Sequence, residues 1–184
     1  GSAQGDISLA VKDSIIDVMA KQIAVKNLAL SYPNQPSFRQ EYMNIAFSGR
    51  FDTKNKISNI EKITIDSPQI KLDGKLTNAE TGSNIKTEAS FKADYNLAAA
   101  SSLISSFMPE GFTAAGTRSD MLWFASTYPK QQPALFKSNL NAKATFGFDS
   151  AQYMGLNIGK TDFSLQMNRG LMTIAPFSTT VNNG

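Results

Sequence analysis

Ile85-Lys86-Thr87-Glu88-Ala89-Ser90-Phe91-Lys92-Ala93-Asp94-Tyr95 alternates between two kinds of side chain without a break. Successive residues of a strand point to opposite faces. Ile85, Thr87, Ala89, Phe91, Ala93 and Tyr95 therefore share one face, and Lys86, Glu88, Ser90, Lys92 and Asp94 share the other. An antiparallel strand with one buried and one wet face reads this way.

The same period of two recurs on both sides. Met43, Ile45, Phe47, Gly49 and Phe51 alternate, as do Ile63 with Ile65 and Ile70, Leu72, Gly74 with Leu76. Ile23 and Val25 run into Leu28 and Leu30 with a one-residue slip at Lys26-Asn27, which a bulge would explain. Tyr32-Pro33-Asn34-Gln35-Pro36 reads as a loop. Near the other end Leu140, Ala142, Ala144, Phe146 and Phe148 form one stripe, and Phe163, Leu165 and Met167 another. Asn168-Arg169-Gly170 is a hairpin turn leading into Met172 and Ile174, and Asn182-Asn183-Gly184 is a second turn signal.

Two segments suggest helix. Asn96 caps a stretch in which Leu97, Ala100, Leu103, Ile104, Phe107 and Met108 share a face before Pro109 and Gly111 end it. A second, weaker pattern runs from Ser14 to Met19. The expected fold is mainly β: a curved, mostly antiparallel sheet, an open groove or half-barrel, with one or two short α-helices. Gly1-Ser2 reads as a cloning remnant. Residues 3–184 then form a single β-rich domain, expected to be a segment of a longer repetitive envelope protein. An internal echo, Phe47-Ser48-Gly49-Arg50-Phe51-Asp52 against Thr145-Phe146-Gly147-Phe148-Asp149, fits repeated hairpin units.

Composition narrows the chemistry. The chain of 184 residues has no Cys and no His, which removes disulfides, thiolate metal sites and the usual general base. No cofactor and no metal are expected. The net charge is +3, with Lys and Arg scattered, so the basic stripe interleaved with aromatics that a nucleic-acid partner requires is missing. No apolar run reaches the roughly 18 residues of a membrane span. Glu61, Asp66 and Asp73 are the carboxylates to consider for a glycosidase pair or a Ca²⁺ site, but their spacing matches no known loop. Ser101-Ser102 and Ser105-Ser106 lack an activating base. No enzymatic activity is expected.

The apolar stripes are the sharper signal. A helix of about 13 residues is roughly 20 Å long and covers only part of a sheet of about ten strands. The rest of the face must pack into an ordinary dry core or stay open, for example to an acyl chain. Phe47, Phe51, Phe91, Phe146, Phe148, Phe163 and Leu165 are the candidates to line such a groove or core. Trp123, in Met121-Leu122-Trp123-Phe124, belongs on the sheet or at a membrane-facing rim.

In sequence order, several pieces resemble the AsmA-like family of envelope proteins, within the wider group of groove-shaped lipid-transport proteins that includes TamB. Val25-Lys26-Asn27-Leu28-Ala29-Leu30-Ser31-Tyr32-Pro33 resembles one family strand. Ile63 to Leu76, through Ser67-Pro68 and Gly74, resembles a family hairpin. Ala93-Asp94-Tyr95-Asn96-Leu97 leads, as in the family, through a short helix to a strand at Ala114-Ala115-Gly116. Leu171-Met172-Thr173-Ile174-Ala175-Pro176-Phe177 through Asn183-Gly184 resembles the family's ending. The resemblance implies a non-catalytic periplasmic segment in a Gram-negative-type bacterium, its parent anchored in the inner membrane. It also implies phospholipid or acyl chains and envelope proteins as partners, and a part in lipid transport and outer-membrane assembly. A β-sandwich protein-interaction or adhesion module is the alternative reading, and a carbohydrate-active enzyme a third.

Overall fold

The computed structural model describes residues 1–30, 38–104 and 109–183. The loop expected at 32–36, and Phe107 and Met108 of the expected helix, lie outside these residues. Strands β1 (Ser2–Lys12), β2 (Ile15–Leu30), β3 (Phe38–Asp52), β4 (Ile57–Asp66), β5 (Ile70–Thr81) and β6 (Asn84–Asn96) form a meander, each paired with the next. Then come α1 (Leu97–Ile104), β7 (Thr113–Ala115), β8 (Thr117–Pro129), α2 (Leu135–Ser138) and β9 (Asn141–Phe148). β10 (Ser150–Tyr153), β11 (Leu156–Ile158), β12 (Thr161–Asn168), β13 (Leu171–Ile174) and β14 (Val181–Asn183) follow.

Ten strands make one large curved antiparallel sheet in the order β1-β2-β3-β4-β5-β6-β8-β9-β12-β13, and four make a small one, β14-β11-β10-β7. Neither sheet closes. The expected mainly β fold, an open curved sheet with two short helices, is what forms.

Local rules explain most boundaries. Arg169 (φ 49°) and Gly170 (φ 77°) form the two-residue turn between β12 and β13, where Asn168 faces Leu171. Asn96 Oδ1 accepts the Ala99 N–H at 3.1 Å, the cap that starts α1. Two expectations fail. No helix forms at Ser14–Met19, because Asp13 (φ 53°) and Ser14 turn the chain and β2 starts at Ile15. The second helix is α2 instead. Asn182-Asn183 is not a turn but lies in β14, opposite Asn157 and Leu156.

The register is corrected by bulges. Lys21 and Gln22 together oppose single residues on β1 and β3 sides of the ladder break between Ala20 and Ile23. Glu61 and Lys62 do the same between Ile60 and Ile63. Each extra residue returns the isoleucine that follows it to the apolar face and bends its strand. The slip expected at Lys26-Asn27 is not a register shift: Lys26 faces Tyr42 and Leu28 faces Gln40, with Asn27 at φ 52° between them.

The small sheet is the end of the large one folded over. β8 and β9 pair as far as Leu122 with Ala144, separate, and their continuations re-pair as β7 and β10, with Ala115 opposite Ser150. β12 continues backward through Gly159 into β11, which pairs with β10. The crease therefore runs through Gly116, Asp149 and Gly159. Gly116 has φ 140°, and a Cβ there would stand 2.7 Å from Asp149 Oδ2 and 2.9 Å from its backbone N. At Gly159 a Cβ would meet the Thr180 hydroxyl at 2.2 Å.

The crease predicts unequal glycines. Gly116→Ala should cost about 2–3 kcal/mol in urea denaturation, combining backbone strain with the close approach of Asp149. Gly82→Ala, at φ 59° in an open turn with nothing within 4 Å, should cost only about 1 kcal/mol. Equal losses would show that the crease is not tightly built.

Candidate functional site

Cross-strand partners share a face, so the register traces one apolar surface across all ten strands of the large sheet. Leu9 faces Val18, Val18 faces Gly49, and Ala20 faces Phe47, which in turn faces Ile63. Ile63 faces Gly74, Gly74 faces Phe91, and Phe91 faces Leu122. Leu122 then faces Ala144, Ala144 faces Leu165, and Leu165 faces Ile174. All seven candidate residues stand on this face. It is not lined evenly: the Phe91 ring lies over Gly74, where a Cβ would meet it at 2.2 Å, and stacks near Phe124 with centroids 6.4 Å apart. Phe47 and Phe51 flank Gly49 in the same way, both within 3.4 Å of a Cβ placed there.

Cover is sparse. α2 sets Phe136 edge-on to Phe124 and Tyr128, and Ser126 Oγ donates to the Phe136 carbonyl at 2.9 Å. α1 packs on β6 and β7. Among the described residues no helix and no small-sheet strand packs substantially on β1–β5. Among all the described residues six apolar side chains are buried, five alanines (Ala20, Ala89, Ala100, Ala142, Ala151) and Leu97, and of these only Ala20 lies in β1–β5. Leu9 is 63% exposed. The accessible surface is 12345 Å², against about 8,700 Å² for a compact chain of this mass. The surplus of roughly 3,600 Å² equals about two standard protein interfaces.

At the crease the face is roofed. A cavity of about 410 Å³ lies between the two sheets. Its floor is Phe146, Phe148 and Phe163, where Phe146 and Phe163 stack at 4.8 Å. Ala114, Ile158 and Val181 of the small sheet form the roof. Phe177 stands at the side, edge-on to Phe163 at 4.6 Å and half exposed. Thus Phe146, Phe148 and Phe163 come together at one site, while Phe47, Phe51, Phe91 and Leu165 lie along the open face. The roof was not legible in the sequence, since only long-range pairing brings β7, β11 and β14 there.

Close to the crease the apolar face carries a polar island. Tyr95 faces Arg118, and Asp120 lies next to them opposite Ala93. The Tyr95 hydroxyl donates to Asp120 Oδ2 at 2.6 Å. Arg118 Nη2 reaches Asp162 Oδ1 at 2.6 Å and Asp120 Oδ1 at 3.5 Å, and a Cβ on Gly147 would be 3.0 Å from it. These groups occupy the gap where β8 and β9 part, and Asp120 is buried. Nη2 of Arg118 is engaged by both carboxylates, whereas its buried Nε has no hydrogen-bond partner among the described residues. Burial, then the Asp120 hydrogen bond and charge, push the Tyr95 phenol above the usual tyrosine range.

The remaining polar candidates are ordinary strand residues. Trp123 faces Ser90 on the polar side, its Nε1 donating to Glu88 Oε1 at 3.2 Å. Asp73 accepts the Thr64 hydroxyl at 2.9 Å, Asp66 faces Lys71, and Glu61 sits in the β4 bulge. Among the described residues no three acidic side chains are grouped to hold a metal ion, and no helix is long and apolar enough to cross a membrane. Comparison of the chain with protein-family models, curated proteins and solved structures finds no match.

The island predicts a pH signature. Tyr95→Phe leaves Asp120 Oδ2 without the phenolic donor and should cost about 1–3 kcal/mol near neutrality. The folded state holds the phenolic proton more tightly than the unfolded chain. Its contribution is therefore complete below pH 10 and declines as pH rises beyond it. The stability gap between wild type and Tyr95→Phe should narrow above pH 10 in denaturant titrations; a gap that stays constant or widens there contradicts this linkage.

Proposed function

We propose that the chain is a non-catalytic, lipid-handling segment of an AsmA-like envelope protein, which holds acyl chains on the apolar face of its open sheet. The supporting observation is the unsealed face itself. It spans all ten strands with one polar island near the crease, among the described residues it lacks substantial cover on β1–β5, and the opposite face is polar, so hydrocarbon has one side on which to lie. Burying an acyl chain yields about 0.8 kcal/mol per CH₂ and requires no charged residue. A periplasmic setting, an inner-membrane anchor on the parent, and a role in phospholipid handling and outer-membrane assembly are what the resemblance of the strand and turn motifs implies.

A protein-interaction module is the second reading. The outer edge of β1 is unpaired among the described residues and all eleven of its residues are exposed. Such an edge can accept a partner strand. Two closed sheets, which a sandwich adhesion module needs, are not what the chain forms.

The acyl-chain reading predicts phospholipid in the purified protein by mass spectrometry, and binding of a fluorescent fatty acid after delipidation. Leu9→Asp, on the apolar face at a position already exposed, should weaken that binding several-fold. Ser8→Asp, its neighbour on the polar face, should leave it unchanged. A folded protein that neither carries phospholipid nor binds the fatty acid defeats the proposal.

A further inference from the structure

The cavity at the crease is larger than the voids of an ordinary interior, which seldom exceed a water molecule, and within the roughly 300–1,000 Å³ of small-molecule sites. Its chemistry selects hydrocarbon. The lining is aromatic and aliphatic except for Thr161 and Thr179 beside Gly147. Those two hydroxyls bond to each other at 2.6 Å, and the Thr161 hydroxyl also donates to the Gly159 carbonyl at 2.9 Å. No side chain in the lining offers a free polar group. The nearest guanidinium, Arg118, is held by Asp120 and Asp162. A headgroup or carboxylate would lose its hydration here and gain no partner.

The cavity also has a direction. Its floor residues Phe146 and Phe163 belong to the apolar face that runs from β9 and β12 back to β1. Among the described residues the small sheet roofs only this end, so the face is open toward β1 and capped at the crease. We propose that the cavity is a terminal site for the methyl end of one alkyl chain, whose carboxyl or headgroup end stays on the uncovered sheet. This inference rests on the acyl-chain reading of the open face and adds orientation to it.

Trp123 on the polar face supplies an internal control. The test compares wild-type protein, reporting from Trp123, with a Trp123→Phe/Phe177→Trp variant that reports from the cavity rim. Each is titrated with stearic acid brominated near the methyl end or next to the carboxylate. The methyl-end bromine should quench the rim tryptophan several-fold more strongly than the carboxyl-end bromine, and neither should quench Trp123. Ala114→Phe, which fills the cavity from its roof, should abolish that preference. Equal quenching by the two acids, stronger quenching by the carboxyl-end acid, or a preference that survives in folded Ala114→Phe overturns the terminal site while leaving acyl binding to the open face intact. Failure of both acids to bind at all removes the acyl-chain reading and the terminal site together.

Discussion

Every backbone amide and carbonyl must find a partner, and in this protein the antiparallel ladder satisfies that demand with almost no help from a sealed interior. The two longest unbroken registers are Ile70–Thr81 against Asn84–Tyr95 and Asn84–Asn96 against Thr117–Pro129. Among the described residues the six buried apolar side chains, five of them alanines, do not make a core for a chain of this size. Cohesion instead comes from paired strands and from side chains packed sideways, such as Phe91 over Gly74 or Phe47 and Phe51 about Gly49. Each cross-strand pair adds only about 0.2–1 kcal/mol, but the sheet sums them over nine interfaces. An edifice held edge to edge can leave one face bare, which a sandwich cannot do.

Much of this was legible in the sequence because alternation is a local property. The strand at Ile85–Tyr95, the apolar identity of all seven candidate side chains, the Asn96 cap and the Arg169-Gly170 turn each follow from neighbours a few residues apart. What escaped notice depends on partners far along the chain. The switch from Ala20 to Ile23, and from Ile60 to Ile63, looks like lost periodicity until the facing strand shows a bulge. Ser14 to Met19 has apolar spacing that suits a helix turn, yet its pairing with both β1 and β3 supplies more hydrogen bonds than a short helix could. The crease was the largest omission. Gly116 and Gly159 carried a faint signal, but nothing in their local sequence says that Asp149 and Thr180 lie against them.

The polar island and the roofed cavity sit at the same crease, and their proximity has a physical logic. Folding a sheet back on itself forces two strands apart, and the gap exposes backbone and invites water. Tyr95, Asp120, Arg118 and Asp162 meet at that gap, where the Arg118 Nη2 and the Tyr95 hydroxyl are engaged by carboxylates, so these charges pair with each other beside the hydrocarbon-lined space. The two halves of the echo first seen in the sequence diverge here as well. Asp52 enters a turn into β4, with Asn55 N–H bonded to its carboxylate at 2.9 Å, whereas Asp149 marks the bend from β9 into β10. Similar words thus serve a hairpin at one place and a fold-over at the other.

The scarcity of buried apolar surface has a thermodynamic consequence. The heat capacity of unfolding scales with the apolar area newly exposed to solvent, and here much of that area already meets solvent in the native state. The stability curve of the bare chain should accordingly be shallow, with weak dependence on temperature on either side of its maximum. Covering the open sheet, by whatever means, would restore the steep dome of a conventional globule. Calorimetric curvature is therefore a gauge of how much of that face is occupied.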